Sequence, residues 1–378
     1  MLARRLAVSG CLAIALCSVA IAQTQEKKPP KKNPLLKLAE AWPEPAVLEA
    51  RKTEAQQRPL FQQTEPLAFT LTADFKAINK DRNPESANRY PAVLTLVDAR
   101  GREQTLHVRL GPRGHLRRMA RTCDFVPLRV ELGGNDLAGS LFEGQNNVKL
   151  SAHCRDDGEF DQYVLREYVS YRLFNLVTPQ SFRARLAHGT YVDAKSNKKV
   201  ATRYGIFIEN ENDVARRMGG RIVELQRLQF ADVDPAALNN MMLFNYMVGN
   251  TDFSIYALHN VRLVQMPTRT IYTVPYDFDL TGFVNPPYAA VNPKLGIRSV
   301  LDRLYRGPCL SLDTMDKSVE AFRAQRTAML AELDGLKEMD SNARSQAKEY
   351  LEGFFRAIAQ QNNVKRSFVD GCKPNPTM

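Results

Sequence analysis

Short alternating apolar runs fill the first half of this chain and give way, near residue 210, to runs with helical spacing. Leu67-Ala-Phe-Thr-Leu-Thr-Ala, Tyr90-Pro-Ala-Val-Leu-Thr-Leu-Val, Gln104-Thr-Leu-His-Val-Arg-Leu, Val126-Pro-Leu-Arg-Val-Glu-Leu and Asn147-Val-Lys-Leu-Ser-Ala carry the strand pattern. They set apolar residues two apart, the period of a half-buried strand. Asp98-Ala-Arg-Gly101 reads as a hairpin-like turn. Consecutive strands joined in this way predict a mostly antiparallel sheet. A helix from about Tyr163 to Val177 follows, closed before Pro179. Strands return at 187–192 and 204–209. Beyond the polar break Asn210-Glu-Asn-Asp213, Asp234-Pro235 opens a helix carrying Leu238, Met241, Met242 and Val248, and Gly249 ends it. Segments 301–305, 317–333 and 342–360 read as amphipathic helices. The expectation is an α+β chain of two lobes with a cleft: a sheet-rich lobe over 61–210, a helical lobe over 211–372 and a tail over 373–378.

The N-terminus has the layout of an export signal. Arg4 and Arg5 precede the apolar stretch from Leu6 to Ile21, and Ala20-Ile21-Ala22 is a small-x-small cleavage site before Gln23. Too little apolar chain precedes Cys11 for a lipoprotein signal. Residues 1–22 therefore read as a signal peptide, with no transmembrane span left after its removal and a periplasmic or extracellular destination. Residues 23–60, with Lys27-Lys28-Pro29-Pro30-Lys31-Lys32, read as a disordered tether. Four cysteines remain after cleavage, an even number that fits two disulfides in an oxidising compartment. Of the three possible pairings, Cys123–Cys154 and Cys309–Cys372 keep each bridge within one half. The net charge of +11 favours acidic partners. No aromatic-basic motif points to nucleic acid, and no histidine cluster has zinc spacing.

The chemistry concentrates between Asn245 and Leu280. Asn245-Tyr-Met-Val-Gly-Asn-Thr-Asp252 closes a helix, His259-Asn260 follows, and Pro275-Tyr-Asp-Phe-Asp279 ends an alternating run. On a strand, Asp277 and Asp279 share one face about 7 Å apart. Two like charges on a partly buried face call for a cation or for donors, and a divalent metal with oxygen ligands meets that need. Any one of these residues alone reads more readily as a turn former or a solvated strand end; together they favour a site. Upstream, Arg113-Gly114-His115-Leu116-Arg117-Arg118 is either a solvated basic loop or a contact for phosphate or acidic side chains. Glu167 lies with Tyr163, Tyr171 and Phe174 on one helix flank. Lys149, in an apolar strand, either partners it or faces solvent.

From Arg113 to Phe283 these residues resemble the spore-coat protein H (CotH) kinase family, secreted proteins with an atypical protein-kinase-like fold. The resemblance rests on Gly249-Asn250-Thr251-Asp252, His259-Asn260 and Pro275-Tyr276-Asp277-Phe278-Asp279. Asn147-Val-Lys149-Leu, Arg166-Glu167-Tyr-Val-Ser-Tyr-Arg-Leu-Phe174 and Tyr204-Gly-Ile-Phe-Ile-Glu209 agree in order and spacing. It implies a two-lobed kinase-like fold with an antiparallel sheet-rich N-lobe and a helical C-lobe. It implies Lys149 on nucleotide phosphates, Glu167 as its helix partner and Glu209 at the hinge beside adenine. Asp252 becomes the catalytic aspartate, with Asn260, Asp277 and Asp279 as metal ligands. Seven residues separate Asp252 from Asn260, more than in most kinase-like loops, and no Gly-x-Gly-x-x-Gly loop is present.

The resemblance implies an enzyme that uses ATP with Mg2+ or Mn2+ to phosphorylate Ser or Thr hydroxyls of an exported protein substrate. The alternative is a non-catalytic envelope or surface assembly protein, and a third class is a calcium-stabilised surface binder with no need of Lys149.

Overall fold

The computed structural model describes residues 33–98, 101–134 and 137–376. The export signal, the Lys/Pro run before residue 33, the tip of the Asp98–Gly101 turn and Asn135-Asp136 lie outside the described residues. Two short helices come first, α1 (Pro34–Ala39) and α2 (Pro45–Gln57), each with proline in its first turn. They stand where the sequence suggested a tether. Charge decides the difference: the buried Arg58, just past α2, pairs with Asp213, and Arg221 bonds the carbonyls of Leu38 and Glu40 while stacking on Trp42.

Seven strands follow: β1 (Leu67–Ala73), β2 (Tyr90–Val97), β3 (Glu103–Pro112), β4 (Leu128–Glu131), β5 (Asn147–Ser151), β6 (Ala184–Asp193) and β7 (Lys199–Ile208). A short helix, α3 (Phe75–Lys80), follows β1, and α4 (Gly158–Val177) comes between β5 and β6. The strands close into a barrel in the order β1-β2-β3-β4-β5-β7-β6. Closure comes from a parallel pairing of β1 with β6, from Leu67 opposite Ala187 to Ala73 opposite Asp193. This overturns the expected two-lobed kinase-like fold with its antiparallel N-lobe sheet: the sheet is mixed and closed. The physical reason is the pair of edges that β1 and β6 would otherwise expose, whose main-chain groups satisfy each other on closure. Leu71, Leu94, Leu110, Leu150 and Phe207 fill the interior. At Gly189 a Cβ would stand 2.4 Å from the Phe69 ring, so only glycine lets that ring lie across β6.

The remaining chain forms α5 (Glu211–Arg217), β8 (Arg221–Val223), α6 (Pro235–Val248), β9 (Val261–Gln265), β10 (Ile271–Pro275), α7 (Leu312–Gly335) and α8 (Ser341–Ile358). β10, β9 and β8 make a small antiparallel sheet. Asp234 caps α6 through its bond from the Ala237 amide, and Gly249, at φ +64°, ends it in the left-handed conformation glycine favours. Segment 301–305 is irregular rather than helical. α4 is the hinge of the packing: Leu165, Val169 and Leu173 join Leu243, Met247 and Phe354 in a second core. Both expected disulfides, Cys123–Cys154 and Cys309–Cys372, are formed. No helix among the described residues is long and apolar enough to cross a membrane.

Candidate active site

The end of α6 builds the first part of the site. Asn250 bonds Asn245 across the left-handed turn, and its Oδ1 accepts from the Asp252 amide at 2.9 Å. Ser254 and His259 then exchange two main-chain hydrogen bonds, of 2.9 and 2.8 Å. That bridge folds the intervening residues outward, so the seven-residue separation still brings Asp252 and Asn260 together. Asn260 Nδ2 donates to the Asp252 carbonyl at 2.8 Å and to its Oδ2 at 3.0 Å. His259 Nε2 meets Asp252 Oδ1 at 3.0 Å, and this carboxylate raises the histidine pKa. Arg306 holds the turn from below, donating to the carbonyls of Thr251 and Phe253.

The second part follows β10. The alternation through Asp279 predicts a strand, but β10 ends at Pro275 and Asp277 has φ +66°. Burial explains the turn. Phe278 is fully enclosed between Tyr171 and Phe244, and the Tyr171 hydroxyl takes the Asp277 amide at 3.1 Å. The Asp277 and Asp279 side chains have no hydrogen bond or ion pair among the described residues. Burial, then the charges of Asp277 and Glu167, push the Asp279 pKa well above the carboxylate range.

Glu167 sits fully buried on α4 beneath this loop. Ser151 Oγ reaches its Oε2 at 3.2 Å and Arg117 Nη1 lies 3.8 Å away. Its Oε1 has no hydrogen-bond partner among the described residues. Burial raises its pKa to about 7, against the pull of Arg117. Arg117, named in the sequence only as one of a basic run, is buried, bonds Ser151 Oγ at 2.9 Å and the Ala152 carbonyl, and has Asp279, Glu167 and Asp277 around it. Arg117 is thus withdrawn from solvent, while Gly114 and His115 of the same run stay exposed. Its neighbour Arg118 is also buried, on Asp81 at 2.8 Å. The one sequence signal was an Arg doublet inside a short strand connection.

Lys149 does not pair with Glu167. Its Nζ meets Glu211 Oε2 at 2.6 Å, within reach of the Phe182 and Tyr276 rings. Burial lowers the lysine pKa to about 8, and Glu211 only partly offsets that. Glu211 itself drops to about 2, since the Lys149 charge and hydrogen bond outweigh its burial. Glu209, at the end of β7, turns its carboxylate to Arg217 at 3.1 and 3.0 Å and to the Arg183 amide. The structure therefore gathers Asp252, Asn260, Asp277, Asp279 and Glu167 around one acidic patch, and holds Lys149 and Glu209 in separate ion pairs.

Among the described residues no three His, Cys, Asp or Glu side chains converge as a ready-made metal cage. Carboxylate and amide oxygens, the types that Asp277, Asp279 and Asn260 carry, are the donors a hard divalent cation takes. The electrostatics agree: four carboxylates, Asp252, Asp277, Asp279 and Glu167, interact in one place with Arg117 as the buried cation among them. The cleft lined by Arg117, Glu167, Asp279 and Tyr288 has about 10 Å³ of free space, roughly the room of one water or ion. A far roomier cavity, about 610 Å³, lies elsewhere, beside α2 and the start of β6.

No family model matches the chain, and no curated protein matches it.

Proposed function

We propose that this chain is a metal-dependent phosphotransferase that moves the terminal phosphoryl group of ATP to Ser or Thr hydroxyls of exported proteins. Membership of the spore-coat protein H kinase family is part of the same proposal and rests on the motifs quoted above. The observation that carries it is the contact of Asn260 with Asp252 beside the unpartnered carboxylates of Asp277 and Asp279. Phosphoryl transfer needs positioning and charge neutralisation more than covalent help. Asn260, Asp277 and Asp279 would hold Mg2+ or Mn2+, which supplies the neutralising charge. Asp252, partly exposed, orients the attacking hydroxyl and accepts its proton. The hydroxyl oxygen forms the new bond to phosphorus, the bond to the bridging oxygen breaks, and the nucleoside diphosphate leaves with that electron pair. Lys149 reaches the phosphates after exchanging Glu211 for them. The two disulfides fit an oxidising compartment outside the cytoplasm.

A second reading, a non-catalytic envelope or surface assembly protein, draws on a different observation. Lys149 is held by Glu211, and Glu209 by Arg217. Thermal unfolding of the chain from Gln23 separates the two. ATP with Mg2+ or Mn2+ at a hundred times its dissociation constant stabilises by about 2.7 kcal/mol, roughly a few degrees in a protein of this size. A shift that needs both nucleotide and metal and disappears in Asp277→Asn supports the phosphotransferase. An unchanged midpoint with every nucleotide and metal supports the assembly protein.

A further inference from the structure

A cavity of about 610 Å³ has no part in the acidic patch. It opens between α2, the connection from α4 into β6 and the edge of the small sheet. That volume suits a small organic molecule. Its charge is one-sided: Lys52, Arg172, Arg183 and Arg217 line it, and no carboxylate does among the described residues. Two of the four cations are neutralised from outside the cavity. Arg172 pairs with Glu332 and Arg217 with Glu209, each through two hydrogen bonds. Among the described residues Lys52 pairs only with the exposed Glu49, at 3.3 Å, a contact that contributes little. Arg183 makes no ion pair among the described residues. Its Nη1 donates to the Gln56 carbonyl at 3.0 Å, and burial with the nearby Arg217 charge makes its own charge costly to hold.

The rest of the lining fits a ligand with a body as well as a charge. Phe61 and Tyr272 supply rings, and Met218 and Met266 supply adaptable thioethers. The side-chain amides of Gln63 and Asn175 stand among them. We infer that this cavity is a binding site for a small organic anion with an aromatic or apolar body, its anionic group on Arg183 and Lys52. A guanidinium takes a carboxylate, sulfonate or phosphate through paired N–H donors, and partial burial makes that pairing stronger than on an open surface.

Anilinonaphthalene sulfonate tests the site as the charged aromatic probe, with phenylnaphthylamine as its uncharged analogue. Fluorescence titration and calorimetry on the whole chain are expected to show saturable one-to-one binding of the sulfonate and at least roughly tenfold weaker binding of the amine. Arg183→Gln is expected to weaken the sulfonate by about tenfold, and Arg183→Lys, which keeps the charge, to retain most of it. Gln180→Trp, at the rim, is expected to block the probe. Unfolding midpoints close to the unmodified chain establish that each variant is folded. Non-saturable binding, equal affinity for the neutral amine, or an affinity unchanged in both Arg183→Gln and Gln180→Trp overturns the inference.

Discussion

Asn260 donates from one amide nitrogen to both the carbonyl and the carboxylate of Asp252, a residue eight positions earlier. Asn260 does so from a left-handed backbone, φ +50°. Replacement by alanine loses both bonds and leaves an L side chain in a conformation it disfavours. Asn260→Ala is expected to lower stability by roughly 1–3 kcal/mol in urea unfolding. Asn260→Gly, which relieves the backbone alone, should recover part of it; equal stability of all three chains would show the contact to be idle.

Arg117 is the buried cation nearest Glu167, with Asp279 and Asp277 close by. Removing one partner of a buried pair leaves the other uncompensated, at a cost of about 3–5 kcal/mol. Arg117→Met should show a loss of that order. Arg117→Met with Glu167→Gln should be more stable than Arg117→Met alone. If the double variant is the less stable chain, Arg117 works through its bonds to Ser151 and Ala152 rather than through charge.

His153 is buried against Phe125 and Tyr191. Burial, then Arg117 and Arg203, lower its pKa to about 3. Between that value and about 6.5 the unfolded chain binds more protons than the native one. Stability therefore falls as pH drops through this window, by roughly a few kcal/mol in all. His153→Phe keeps a ring in place and removes the titration. The loss of stability from pH 7 to pH 4.5 should be smaller in this variant than in the unmodified chain, and an identical loss would sink the assignment.

Glu211 occupies Lys149, so a phosphate that binds this lysine must displace a carboxylate. Glu211→Gln removes the competing charge. On the phosphotransferase reading it tightens ATP with Mg2+ by about tenfold, or 1.4 kcal/mol, measured by calorimetry. Weaker binding would make Glu211 part of the nucleotide site rather than a competitor for it.

What could be read along the chain was local. α6 begins and ends where Asp234, Pro235 and Gly249 put it, because capping and left-handed turns depend on a few adjacent residues. The Asp277-Phe-Asp279 run misled for the opposite reason. A strand and a loop pinned by one buried phenylalanine show the same alternation, and the φ of Asp277 is set by Tyr171, far away in the chain. Lys149 and Glu167 stand out in the sequence as candidate partners of each other, yet their partners, Glu211 and Arg117, come from other elements.

By itself the sequence determined the seven strands of the first half, the ends of the best-capped helix, and a group of carboxylates at 252, 277 and 279 with an asparagine at 260. These follow from periodicity and turn chemistry, whose range is a handful of residues. Tertiary structure alone decided that β1 closes a barrel against β6, that Arg117 rather than Lys149 lies beside Glu167, and that Asp279 lies buried among like charges. Pairing, burial and the electrostatics of desolvated groups depend on residues distant in the chain. They exist only once the chain has closed around them.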